Sequence, residues 1–197
     1  MSQGMEKREI TSSKKAGITV TEILIVAMLI AAGAVLKGVF NVAFSFTPLK
    51  PNSVIAMYSL AILLIRPKFL ESLAIGLVAG VVCTFLPGVL APGANIVSET
   101  LGAVALVLLM KMPFELKIGK VPFYPAVLTF FTTLVSGYAF FLAMKMMLLS
   151  GLDLPKRAEG MTVVGFSAII FGTALANAII VSVLYPALRA VIRKRTP

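Results

Sequence analysis

The sequence predicts an all-α membrane protein: a bundle of six transmembrane helices with the N- and C-termini both on the inner side. Three observations carry that expectation. Of 197 residues, 59% are hydrophobic and 13% charged, with a mean hydropathy of +1.00; a soluble domain carries about a quarter of its residues charged. The apolar residues fall into six blocks, and a bilayer-crossing helix needs about 20 of them. The cations sit between those blocks and at the two ends, where membrane proteins carry their orientation signal. That placement, rather than nucleic-acid binding, accounts for the net charge of +10.

The six expected spans are Ile18–Phe40, Ser53–Ile65, Leu70–Leu90, Asn95–Met110, Tyr124–Leu149 and Met161–Ala187. The first follows a basic N-terminus but is too long for a signal peptide and lacks a small-x-small exit, so it reads as a retained helix. The second is short and bracketed by Pro51 and Pro67, which suits a start inside the membrane or a thinned crossing. Pro87, Gly88, Pro92 and Gly93 separate the third from the fourth. Pro186 marks a stop for the sixth, with Tyr185 as an interface anchor. With the N-terminus inside, the inner segments hold Lys7, Arg8, Lys14 and Lys15, then Arg66 and Lys68, then Lys111, Lys117 and Lys120, then Arg189, Arg193, Lys194 and Arg195. The outer segments hold Lys50, Lys156 and Arg157. The bias sets both termini inside. The chain divides into a cytoplasmic tail at 1–17, a six-helix domain at 18–190 and a basic cytoplasmic tail at 191–197.

Within the first helix, Ala27, Ala31, Ala34 and Gly38 form a small-residue stripe. Small residues let membrane helices approach closely, either another helix of this chain or a partner subunit. Gly76 and Gly80 repeat the spacing, and internal packing is the expectation there. In the fourth helix Asn95, Ser98, Glu99 and Gly102 share one face. An ionised carboxylate at the centre of a membrane helix costs roughly 3 kcal/mol even on lenient scales. Glu99 is therefore expected to face a wet cavity or a cation, with Lys37 or Lys145 as partner; the alternative is an interfacial carboxylate turned outward. Thr173 and Asn177 lie one turn apart in the sixth helix, and so deep an amide must find a hydrogen-bond partner, in a ligand pocket or on another helix. Thr129, Thr133, Ser136 and Gly137 line one side of the fifth, with Tyr138, Phe140 and Phe141 nearby; an aromatic-walled cavity or lipid-facing rings both fit. The first outer loop, NVAFSFTPLKPNS, is too apolar for a purely solvated loop, which makes it a cover over a cavity and Lys50 and Asn52 candidate ligand contacts.

Absences narrow the function. No G-x-x-x-x-G-K-[ST] motif is present, so the chain cannot power transport with ATP alone. HExxH and GxSxG are missing, and with no His and a single cysteine, Cys83, neither a Cys/His zinc site, an internal disulfide nor a His base is available. Cys83 reads as a buried packing residue. No catalytic residue, metal or cofactor is expected, and the chain is read as a non-enzyme.

Four stretches then carry a resemblance: ILIVAMLIAAGAVLKG at 23–38, LKPNSVIAMYSLAILL at 49–64, PGANIVSETLGA at 92–103 and ANAIIVSVLYP at 176–186. With six short helices and no ATPase motif, the chain resembles the substrate-binding S component of an energy-coupling factor (ECF) transporter, and within that group the TrpP-type tryptophan transporter branch. It departs from the branch in reading Lys50-Pro51-Asn52, where an acidic residue is expected after the proline. The resemblance implies a prokaryotic plasma-membrane subunit that captures an amino acid, vitamin or similar solute near the outer leaflet. It also implies docking on a transmembrane T component driven by ATP-binding subunits. It maps the T-component contact onto Ala27 and Ala31, and ligand contacts onto Lys50, Asn52, Asn95, Glu99 and Asn177. For a zwitterionic amino acid, Glu99 would take the ammonium and Lys37 or Lys50 the carboxylate. A self-sufficient secondary transporter or channel, and a small membrane enzyme, are the rival readings.

Overall fold

The computed structural model describes residues 17–44, 46, 51–112, 117–118 and 121–195, and Lys50 lies outside them. Side-chain caps open two of the helices. Helix α1 (Val20–Ala43) opens on a capping box: Thr19 Oγ1 accepts the Glu22 N–H at 3.3 Å, and Glu22 Oε2 accepts the Thr19 N–H at 2.8 Å. Helix α2 (Ser53–Ile65) ends at Arg66, held left-handed at φ 49° before Pro67. Helix α3 (Phe69–Thr84) opens with Glu71 Oε2 accepting the Lys68 N–H at 2.6 Å.

The expected third span to Leu90 is too long. Helix α3 stops at Thr84, and the chain turns through Pro87 and Gly88, the latter at φ +77°. The Thr84 hydroxyl stitches this turn, 2.9 Å from the Gly80 carbonyl and 3.0 Å from that of Pro92. Helix α4 (Pro92–Met110) then starts earlier than Asn95, because a proline in the first turn loses no helical hydrogen bond. A two-residue antiparallel pair, β1 (Lys117–Ile118) with β2 (Val121–Pro122), precedes α5 (Tyr124–Leu149). A four-residue helix, α6 (Lys156–Glu159), was not foreseen.

Helix α7 (Val163–Arg195) corrects the expected stop at Pro186: it runs through the proline and past residue 190 as one helix. Only the N–H that would have reached the Ser182 carbonyl is lost, a defect membrane helices tolerate. The Ser182 hydroxyl bonds back to the Ala178 carbonyl at 2.7 Å one turn earlier.

Among the described residues there are thus seven helices, six of them apolar. Four, α1, α4, α5 and α7, are long and apolar enough to cross a membrane, while α2 and α3 are shorter. The shortness of α2 has a structural counterpart. It packs against α1, α3, α4, α5 and α7, and its residues from Ser53 to Leu63 are all buried. A run of this length suits a buried core helix. Close approach elsewhere rests on glycine. A Cβ on Gly76 would stand 2.7 Å from Thr100 Cα, and one on Gly80 2.7 Å from Ile96 Cα, so the GxxxG pair does serve packing of α3 on α4.

Candidate functional site

One end of the bundle holds a cavity of about 490 Å³. The C-terminal part of α1, the start of α2, the α3–α4 turn, the start of α4, the middle of α5 and the start of α7 all contribute to its wall. Its floor is polar. Glu99, about two turns into α4, is 1% exposed. Its Oε1 accepts the Asn52 amide at 2.5 Å, and its Oε2 accepts the Ser136 hydroxyl at 3.1 Å. The Cys83 thiol donates to Oε1 at 3.7 Å, and Lys37 Nζ reaches the same sulfur at 3.6 Å. Lys37 also lies within electrostatic reach of Glu99. A carboxylate buried in apolar surroundings requires this density of donors. Gly102, one turn further along α4, leaves room for the group: a Cβ there would collide with the Tyr58 hydroxyl and stand 2.9 Å from Ser136 Cβ.

The walls above this floor are apolar. Phe46, Phe140 and Phe166 border the cavity. Phe140 and Phe166 stack with centroids 6.1 Å apart, and Phe141 backs Phe166 at 5.0 Å. Apolar walls over a few convergent polar groups, in a volume between roughly 300 and 1,000 Å³, are the usual form of a small-molecule pocket.

Of the residues singled out from sequence, Lys37, Asn52, Asn95 and Glu99 come together on this cavity. The Asn95 amide donates to the Pro92 carbonyl at 3.3 Å. Asn177 stands beside the site rather than on its surface: its Nδ2 donates to the Asn52 carbonyl at 3.1 Å and to Thr133 Oγ1 at 3.3 Å, which fixes the start of α2 against α5 and α7. Lys145 corrects an expectation, because it is no partner of Glu99. Its ammonium lies over the Phe141 ring and donates to the Ala158 and Glu159 carbonyls at 3.4 and 3.3 Å. Both Lys37 and Lys145 lie near the same end of their helices, and only the rotation of each helix decides which one turns inward. Ala27 and Ala31 are exposed, so the face of α1 that carries them does not pack on another described helix, while Ile30 and Gly33 on its other side are buried.

Three contributors went unrecognised in the sequence. Cys83 is the buried packing residue its apolar run suggests, and its thiol in addition joins Lys37 to Glu99, of which that run gives no sign. Ser136 belonged to a hydroxyl stripe whose members usually bond their own backbone, as Thr133 does to the Thr129 carbonyl at 2.8 Å. Arg157 borders the cavity from α6, a helix too short to leave a periodic signal.

No curated protein and no solved structure matches the chain. A family model described as tryptophan transporter TrpP matches residues 19–193, nearly the whole sequence and every apolar helix. This multi-pass membrane protein belongs to the TrpP tryptophan transporter family.

Proposed function

We propose that the chain is the solute-capturing S component of an ECF-type importer in a prokaryotic plasma membrane, and that it holds tryptophan or a closely related solute in the cavity around Glu99. Both termini are cytoplasmic in this reading, in line with the bias of Lys and Arg between loops, and the cavity then opens to the outside. The observation that carries it is the cavity itself: a polar floor of Glu99, Asn52 and Lys37 beneath Phe46, Phe140 and Phe166. The rings suit the face of an indole, and the floor suits the ammonium of an amino acid. Asn95 and Lys50 complete the ligand shell, and Asn177 supports it through the Asn52 carbonyl. Transport needs a T component docked on the exposed Ala27 and Ala31 face, with ATP-binding subunits behind it, since the sequence contains no nucleotide-binding motif.

Two measurements on the purified full-length chain test this. Equilibrium binding of tryptophan should be saturable without partners, and Glu99→Gln should weaken it about tenfold or more by removing the charge opposite the ammonium. Proteoliposomes containing the chain alone should show no tryptophan uptake, and uptake should appear on adding T component, ATPases and ATP. Partner-free uptake would instead establish a secondary transporter, and absence of saturable binding would remove the capture role.

A further inference from the structure

The cavity wall carries three charged side chains among the described residues: Lys37, Glu99 and Arg157. They are not equivalent. Lys37 and Glu99 share the buried floor and are joined through the Cys83 thiol, so one positive and one negative charge offset each other there. Arg157 stands alone at the rim. Its guanidinium makes no hydrogen bond or ion pair among the described residues, although its helix is firmly held. Ala158, the next residue, is fully buried against Ala91, Ala94, Met144 and Leu154. Lys145 ties down the carbonyls of Ala158 and Glu159, and the Ala158 N–H bonds to the Pro155 carbonyl at 2.7 Å. A fixed backbone thus presents a free cation to a cavity whose other charges cancel. Among the described residues the cavity thus has one positive charge in excess, which favours a ligand bearing an anionic group.

We infer that Arg157 is the residue that reads the substrate's carboxylate, so that a free carboxylate is required at the rim while the aromatic moiety lies against the phenylalanine rings. This rests on the capture role proposed above and reassigns the carboxylate contact from Lys37 or Lys50; the Lys37 ammonium is already turned to the Cys83 thiol on the floor. Arginine suits the task, because its planar fork can meet both carboxylate oxygens at once and keeps its charge at any physiological pH.

The test compares tryptophan with its uncharged-carboxyl analogue, tryptophan amide, on the full-length chain in nanodiscs. The wild type should prefer tryptophan by about tenfold to a hundredfold, the range for a charge-assisted hydrogen bond. Arg157→Ala should lose that preference, binding both ligands within about twofold of each other, and Arg157→Lys should restore part of it. Lys156→Ala, a neighbouring exposed cation that does not border the cavity, should leave the preference intact and so controls for loss of general positive charge. Because Arg157 is exposed, its variants should melt with the wild type, which separates a recognition defect from misfolding. Full preference retained in Arg157→Ala would overturn this assignment and leave the capture role standing. A wild type that binds tryptophan and its amide equally would also overturn it, and binding of neither would sink the capture role and this assignment together.

Discussion

Helices α1 and α2 are both apolar almost end to end, yet they occupy opposite situations. Along its 24 residues α1 buries Ile30 and Gly33, whereas α2 buries eleven of 13. In water such sequences would compete for the core. In a bilayer the lipid tails are as apolar as leucine, so hydropathy places both helices in the membrane without saying which lies at the centre. The distinction rests on small and polar residues. Helix α1 meets α2 where Gly33 allows it, with the Ser53 hydroxyl bonded to the Gly33 carbonyl at 2.9 Å. Helix α2 is pinned at its start by Asn52, which donates to Glu99 and accepts from Asn177.

The largest expected effect is at that crossing. A Cβ on Gly33 would stand 2.9 Å from Val54 Cα and 3.0 Å from Met57 Cγ, so a larger side chain must separate the helices. Gly33→Leu should destabilise the chain by about 3 kcal/mol or prevent its folding, read as loss of monodisperse protein and a lowered Tm in detergent. The next contrast uses one chemical change at two depths. Leu60 in α2 is fully buried and Leu24 in α1 is 57% exposed. Leu60→Ala should cost about 2 kcal/mol from the cavity it leaves, and Leu24→Ala less than about 0.5 kcal/mol. Equal costs would mean that α1 is covered in the isolated chain as well.

Asn52→Ala probes the pin itself. Removing its amide strips Glu99 Oε1 of its shortest hydrogen bond while the carboxylate stays buried. A loss of roughly 1.5 kcal/mol is expected, seen as a Tm shift in ligand-free protein together with weaker tryptophan binding. A change in binding alone would mean that the amide serves the ligand and not the helix start.

How much of this was legible follows from the same physics. The apolar helices were, because their blocks are long and their prolines and glycines punctuate them. Gly76 and Gly80 were, because small residues at that spacing serve contact. Glu99 stood out as a carboxylate in an apolar helix. The centrality of α2 was not: its brevity suits a start inside the membrane or a thinned crossing, and only tertiary contacts reveal that neighbours surround it. Nor was the choice between Lys37 and Lys145, which requires knowing how each helix is rotated. Pro186 misled, because the rule that proline ends a helix weakens where the surrounding membrane leaves the backbone no better partner.

The smallest effect on the isolated chain is expected at Ala31, and it sharpens the contrast most. Ala31 is exposed and lies two residues before Gly33, so the two positions point to different sides of α1. Ala31→Leu adds bulk where no described helix packs, and stability and tryptophan affinity should stay within about 0.5 kcal/mol of the wild type. If the exposed face is the docking surface for a T component, the same substitution blocks close backbone approach and abolishes ATP-driven uptake in the assembled transporter. Gly33→Leu should lose folding and transport together, Ala31→Leu transport alone. Should Ala31→Leu transport normally, the small side chains of this face would have no part in docking, and any T component would have to meet the bundle elsewhere.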